Sequence, residues 1–416
     1  MPARRCPSHA LAPGRRTRSA ALLLALAFGP APARAQEPIE VAAPPPLRFT
    51  LTVTDARSAG PVDVVLDDAP VPKTSPSLAR LDDGSAIRVD VLARGVDGRG
   101  RLRLRWVATH PLEAGQARHT LEFVADGREA APFAWSGPLE ARTLALRGKA
   151  VWSFAAAFDP QDFDATFKPF HQLFLADGET LLTKGLGGSY PHHRGLFVGW
   201  NQTRCDGETH DFWHCVEGRH QRRIDTVESP FPVVADESSS IEWRDEAGHA
   251  IVRERRTLSA WDLGDARRVI DVVVTLACGS EHRVELRGDP QHAGCQLRLA
   301  EEVATHADAT RYERSAGAKD SGNDVWRDCD WAMVRARIGG RDVKVLHASA
   351  AGANARVVYS TRPYGRFGAF AEFALSPDAP LELRYRVVIA DGDQALDPAL
   401  ESAGFRAELR ASCLRD

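Results

Sequence analysis

Residues 189–215 read SYPHHRGLFVGWNQTRCDGETHDFWHC and hold four of the fourteen histidines of the 416-residue chain, beside two Trp, two Arg, two Asp and two Cys. Imidazole has an unperturbed pKa of about 6.5, so it can take or give a proton near neutrality. The segment therefore points to general acid/base chemistry, with metal ligation as the competing use. His192 and His193 are adjacent, preceded by Pro191 and followed by Arg194-Gly195. If Gly195 to Trp200 is a strand, alternation sends the two rings to opposite sides unless the backbone turns at the proline. Either histidine taken alone is equally well read as a hydrogen-bonded structural residue.

His210 and His214 are four residues apart, with Asp211, Phe212 and Trp213 between them. On a helix that spacing would put both rings on one face, and Cys215 adds a soft ligand. The aromatic pair favours a strand or loop instead, and no acid occupies the general-base position of an HExxH motif. No cofactor is expected, and a divalent metal, if bound, would draw on His192, His193, His210 and His214. Trp200 and Trp213 offer flat faces to a sugar ring, with core packing as the ordinary alternative. Arg194, Arg204 and Arg366 could clamp a carboxylate or sugar hydroxyls, or pair on the surface.

Two later segments carry the same kind of chemistry. GDPQHAGCQLRLAEEV, residues 288–303, sets His292 in a turn before an alternating strand that ends in the paired carboxylates Glu301 and Glu302. One of these is a candidate general base, and Glu302 is the one selected. STRPYGRFGAF, residues 360–370, holds Tyr364 and Arg366 around a glycine, as a loop edge approaching a ligand would, or as a tight turn would for backbone reasons alone.

These residues need a scaffold, and the periodicity specifies strands. Leu47, Phe49, Leu51 and Val53 alternate with polar residues; so do Ile87, Val89 and Val91, then Leu102, Leu104 and Trp106, then Leu121 and Phe123. Asp82-Asp83-Gly84 and Asp97-Gly98 mark turns between them. Residues 47–135 read as a small N-terminal β-sandwich-like domain. Residues 140–416 read as the main β-sandwich domain, a large antiparallel sandwich with long loops over one concave face. Within it Val269 to Leu276 is apolar enough for burial on both faces, and Leu381, Leu383, Tyr385 and Val387 alternate. Asp397-Pro398 predicts one late helix.

Residues 1–35 read as a secretory signal peptide: Arg4, Arg5, Arg15, Arg16 and Arg18, an apolar run from Ala20 to Phe28, then Ala33-Arg34-Ala35. Residues 36–46, rich in Pro and Ala, read as a linker. No run approaches the about 20 apolar residues of a membrane span, so an exported, periplasmic or secreted protein is expected. The leader holds six Arg and no acid, so the rest carries 53 − 6 = 47 basic against 56 acidic residues, which is poorly matched to nucleic acid. Beyond the leader lie Cys205, Cys215, Cys278, Cys295, Cys329 and Cys413, an even number that could pair or remain as buried thiols. Oligomeric state is not indicated.

Five separated blocks, KPFH at 168–171, PHHRGLFVGWN at 191–201, DFWHC at 211–215, DPQHAGCQ at 289–296 and RPYGRFGAF at 362–370, resemble the bacterial family labelled "methane oxygenase PmoA-like" over about residues 145–390. The resemblance implies a β-sandwich similar to the galactose-mutarotase-like supersandwich and a sugar-related setting. With no membrane-spanning run and no evident copper site in the sequence, membrane methane oxidation is not expected; the resemblance gives no catalytic assignments, but marks His192, His193, Arg194, His214 and His292 above His249, His282 or His306.

The expectation is a carbohydrate-active protein acting on a small-molecule or oligosaccharide substrate. His192, His193, His214, His292, Asp211 and Glu302 are the catalytic candidates; Arg194, Trp200, Arg204, Trp213, Lys168, Tyr364 and Arg366 are the substrate-binding ones. Lyase, isomerase and hydrolase chemistry stay open, and hydrolysis would want two opposed carboxylates. A glycan-binding protein without catalysis and a metal-dependent enzyme are the alternatives.

Overall fold

The computed structural model describes residues 46–414, apart from 58, 73–75, 97–98, 125–131, 351–356 and 408. The leader at 1–35, the linker up to residue 45 and the turn at Asp97-Gly98 lie outside the described residues. The alternating runs form strands as their period requires. In Leu47–Val53 every second side chain is buried, and Ala86–Val96, Arg99–Ala108 and Gly115–Phe123 lie in the same seven-stranded sheet. Their inward residues form one core with Phe49, Val89, Leu104 and Leu121 at its centre. Leu409–Cys413, from the far end of the chain, pairs with Leu47–Val53 in register Phe49↔Cys413.

The protein is mainly β, as expected. A ten-stranded and an eight-stranded antiparallel sheet contribute to one large core in which Leu196, Val198 and Trp200 of the first meet Trp243, Ile270 and Val387 of the second. A four-stranded sheet adds Gln202–Cys205 and Glu208–His210. Arg268–Cys278 differs from expectation. Its core face is buried but its other face is only half-buried from Asp271 onward, and Asp271 there receives the Arg386 guanidinium at 2.6 and 2.8 Å. The late helix is Pro398–Arg406, started as predicted by Asp397, whose carboxylate accepts the N–H groups of Ala399 and Leu400.

Four of the ten strands matter most. In spatial order Phe170–Leu173, Leu196–Trp200, Ala293–Arg298 and Arg366–Phe370 are neighbours. The residues just before them are Lys168-Pro169, His192-His193, Asp289 to His292 and Tyr364-Gly365, so four of the chemistry-bearing blocks enter adjacent strands. Alternation then divides each strand. Leu196, Val198 and Trp200 face the core, while Phe197 faces outward into a small cluster with Phe170 and Trp213.

Gly199 shares that outer face, and a Cβ there would lie 2.4 Å from the Phe212 carbonyl oxygen. The absence of a side chain lets the Asp211–Cys215 turn lie directly on the strand. Gly199→Ala should therefore destabilise the fold by about 2 kcal/mol in urea unfolding. A stability equal to that of the unaltered protein would show that the turn is not pressed against the strand.

Candidate functional site

The histidines converge. The ring centroids of His192 and His193 are 4.2 Å apart, those of His192 and His214 4.6 Å, and those of His214 and His292 5.1 Å. His192 and His193 share this cluster because the chain turns before the strand rather than running straight into it. Tyr190 sits at φ +54°, Gly195 at φ +51°, and the Tyr190 carbonyl accepts the His193 N–H at 2.9 Å. Left-handed backbone at a tyrosine costs about 1 kcal/mol or more and is held by the contacts around it.

Two of the four histidines are oriented by the same device. Asp211 accepts the N–H groups of Trp213 and His214 and the Nδ1–H of His214 at 2.7 Å. Asp289 accepts Gln291 N–H and, at 2.9 Å, the Nδ1–H of His292. An ionised carboxylate only accepts, so each pair puts the proton on Nδ1 and leaves the Nε2 lone pair free. Burial raises the Asp289 pKa, but hydrogen bonds from His292, Gln291 and Asn201 outweigh it and bring it down to about 2. Asp211 is lowered in the same way, its burial outweighed by the His214 bonds.

His192 and His193 have no such carboxylate. Burial, with Lys168, His214 and His292 adding to it, pulls the His192 pKa down to about 3. Burial, with His192, Arg366 and Lys168 adding to it, lowers His193 further. Both are neutral at physiological pH. His193 is 2% exposed, and neither of its ring nitrogens has a partner; His192 Nε2 and Trp213 Nε1 are likewise buried and unpartnered. Orphaned buried polar atoms on this scale are costly unless a ligand or water completes them. Tyr190, half exposed, stacks on Tyr364 at 4.9 Å, and Tyr364 lies parallel to the His193 ring at 6.2 Å.

Other expected residues lie elsewhere. Trp200 is fully buried, stacked on Trp243 with its Nε1–H given to the Ala371 carbonyl, so it packs the core. Arg194 spends its guanidinium on the carbonyls of Pro191, Ala165 and Asp164 and fixes the turn. Lys168 donates to the Trp213 carbonyl beneath the site, its ammonium 4.1 Å from the Phe197 ring. Arg366 is buried on Gln296 and Ser360, near the Tyr364 hydroxyl. Arg204 is exposed on a hairpin beside Gln202. Glu302 is exposed and binds the Gly339 N–H; the carboxylate beside the site is Glu301, which accepts Ser189 N–H and Arg298.

His210 packs on Phe212 and meets Arg219, apart from the ring cluster. Among the described residues no group of three His, Cys, Asp or Glu is placed to hold a metal ion. Cys205 and Cys215 are buried free thiols, as are Cys278, Cys295 and Cys329. Among the described residues no helix is long and apolar enough to cross a membrane. Tyr190, Lys184, Glu301 and Asp289 are site residues that the sequence reading did not select. The Asp-x-x-His spacing, repeated at 211–214 and 289–292, was the signal that could have found Asp289.

Because the native Asp289 pKa lies below its ordinary value, its contribution to stability is present above about pH 4 and fades as pH falls toward 2. Asp289→Asn should lower stability by about 1 kcal/mol at pH 7, after allowing for solvent screening of a half-exposed group. The difference from the unaltered protein should shrink between pH 4 and 2 in denaturant titrations. A pH-independent difference would remove the charge from this explanation.

Comparison with known proteins gives a family and no activity. No curated protein matches the chain. Among solved structures, a protein in glycosyl hydrolase family 38 from Enterococcus faecalis is similar at 7% identity and a TM-score of 0.45, covering 89% of this chain and 47% of that one. The GH36 α-galactosidases AgaA and AgaB from Geobacillus stearothermophilus are similar at 10% and 9% identity, each with a TM-score of 0.31, covering 64% and 63% of this chain. This chain covers 40% and 39% of those two enzymes, less than half of each, and likenesses this distant carry no argument. The expected "methane oxygenase PmoA-like" assignment is corrected by the family match itself, which falls on residues 141–402 and carries a different description. With all five motif blocks inside that match, the chain belongs to the Family of unknown function (DUF6807).

Proposed function

We propose that the protein is a carbohydrate-active enzyme in which neutral histidines perform proton transfer on a hydroxyl-bearing substrate, by elimination or isomerisation rather than hydrolysis. The observation that carries this reading is His193, nine-tenths buried with both ring nitrogens unpartnered beside the oriented pairs Asp211–His214 and Asp289–His292. A neutral imidazole offers one donor and one acceptor, and Trp213 Nε1 offers a donor. Hydroxyl groups, which both give and accept, complete such a set; a ligand of acceptors alone does not. The stacked Tyr190 and Tyr364 supply an aromatic edge of the kind a sugar ring packs against.

The proton-transfer assignment follows from the protonation states. Burial holds His192 and His193 uncharged and makes them weak bases, so they act as neutral hydrogen-bonding groups beside the oriented pairs. His214 and His292 present Nε2 with the tautomer fixed by an aspartate, the arrangement in which an imidazole accepts a proton and its carboxylate stabilises the resulting charge. Two-carboxylate hydrolysis is disfavoured because Asp211 and Asp289 are committed to histidines, and Glu301 to Arg298 and Ser189. Export, read from the first 35 residues, would place this activity outside the cytoplasm.

The test is conversion of monosaccharides, glycosides and oligosaccharides followed by NMR with the full-length chain. His214→Ala should lower turnover by about 100-fold or more while changing sugar affinity only a few-fold. Equal loss of affinity and turnover, or binding without any conversion across the panel, would make the site a glycan-binding one instead.

A further inference from the structure

Behind the aromatic rings of the site runs a row of like charges. Arg298 and Arg366 are direct cross-strand partners in the register of Ala293–Arg298 with Arg366–Phe370. Lys184 adjoins them on the other side, its backbone N–H donated to the Arg298 carbonyl at 2.9 Å. Arg298 and Arg366 are almost wholly buried, and Lys184 is 5% exposed. Like charges directly opposite one another on a sheet repel, and burial strengthens the repulsion.

Among the described residues, the carboxylate that serves this row is Glu301, which binds Arg298 at 3.1 Å and also the Ser189 N–H. Lys184 donates to the carbonyls of Tyr190 and His193, each at 3.3 Å. Arg366 donates to the neutral oxygens of Gln296 and Ser360. Three cations against one carboxylate leave the row itself two charges short, while the ring cluster also holds the carboxylates of Asp211 and Asp289 on His214 and His292. Some buried cations elsewhere have their own anions, as Arg256 with Glu254 and Arg386 with Asp271, both at 2.6 Å, while Lys168 and Arg194 are held by carbonyls. An uncompensated buried charge is expensive, and placing two of them beside one ring cluster needs a reason.

We infer that this row selects an anion, so that the site takes a carboxylated sugar, a uronate or related sugar acid, in preference to its neutral counterpart. This rests on the sugar reading above and adds the substrate's charge to it. The cations reach the substrate region through the groups they hold. Lys184 is tied to the backbone of Tyr190 and His193, Arg298 lies 5.0 Å from the Tyr364 ring centre, and Arg366 Nε is 3.4 Å from the Tyr364 hydroxyl. Burial, added to by Arg298 and only partly offset by Glu301, pulls the Lys184 pKa down to about 8, as expected of an ammonium short of counter-charge. A carboxylate bound here supplies that charge at short range in a poorly solvated setting, where it counts for more than at the surface.

The experiment is calorimetric binding of D-galacturonate and D-glucuronate to the full-length protein at pH 7, with D-galactose and D-glucose as neutral comparisons. The acids should bind about tenfold or more tightly than the neutral sugars, and in a folded Lys184→Met protein that ratio should fall to about threefold or less. Neutral sugars binding as tightly as the acids overturns the charge selection and leaves the sugar reading standing. No binding by any of the four overturns the charge selection, and the sugar reading is then decided by the conversion panel of glycosides and oligosaccharides. A ratio unchanged in a folded Lys184→Met protein also overturns the inference, because the preference would then come from elsewhere.

Discussion

The site depends on a turn lying flat on a strand. The Phe212 carbonyl sits over Gly199, and the Gln221 side chain fastens the two by donating to the carbonyls of Val198 and Phe212 at 2.8 and 3.1 Å. From that clamp Phe212 points into the main core while Trp213 covers Phe197 on the outer face. Lys168 then holds the Trp213 carbonyl from below. The His214 ring can reach His192 and His292 only because the turn between Asp211 and Cys215 is fixed in this position, at the cost of a left-handed Cys215. The strand supplies rigidity and the turn supplies the chemistry, the usual division between scaffold and loop.

Electrostatics sorts the buried polar groups into two kinds. In the core, Glu254 satisfies both Arg256 and the Trp243 indole, and Glu237 binds His171 at 2.8 Å and the Trp152 indole at 3.1 Å. These networks fix the packing of the two sheets, although His171 Nδ1 is left without a partner. At the histidine cluster the balance is different: His193 has no partner, Trp213 Nε1 has none, and the nearby cations outnumber their carboxylate. The same burial that keeps His192 and His193 neutral also makes their unmet hydrogen bonds expensive, so charge state and ligand demand have one physical origin.

Much of the scaffold was legible in the sequence. Leu47, Phe49, Leu51 and Val53 alternate because one face of their strand is buried, and Asp397-Pro398 starts a helix because the aspartate caps two N–H groups. The blocks around His192, His214, His292 and Tyr364 were singled out by residue type, and their side chains share one cluster. Trp200 and Arg194 were misread for a common reason. A tryptophan or arginine has an apolar or hydrogen-bonding surface equally suited to a ligand or to the interior, and the strand's face decides which. Glu302 points away from the cluster while Glu301 stands beside it, since adjacent side chains at the start of a helical turn point in different directions.

By itself the sequence determined the strands, their buried faces and the residue types gathered at the loops, because period-two alternation and capping are local. The tertiary structure alone decided that His193 is buried without a partner, that Arg298 stands opposite Arg366, and that Asp211 and Asp289 do equivalent work. Each of these depends on register between segments distant in the chain: Arg298 meets Arg366 because Leu297 pairs with Phe367 one step earlier. A one-residue slip of either strand would have turned its arginine to the opposite face and separated the pair. Register is set by the packing of whole sheets, and no local pattern in the sequence encodes it.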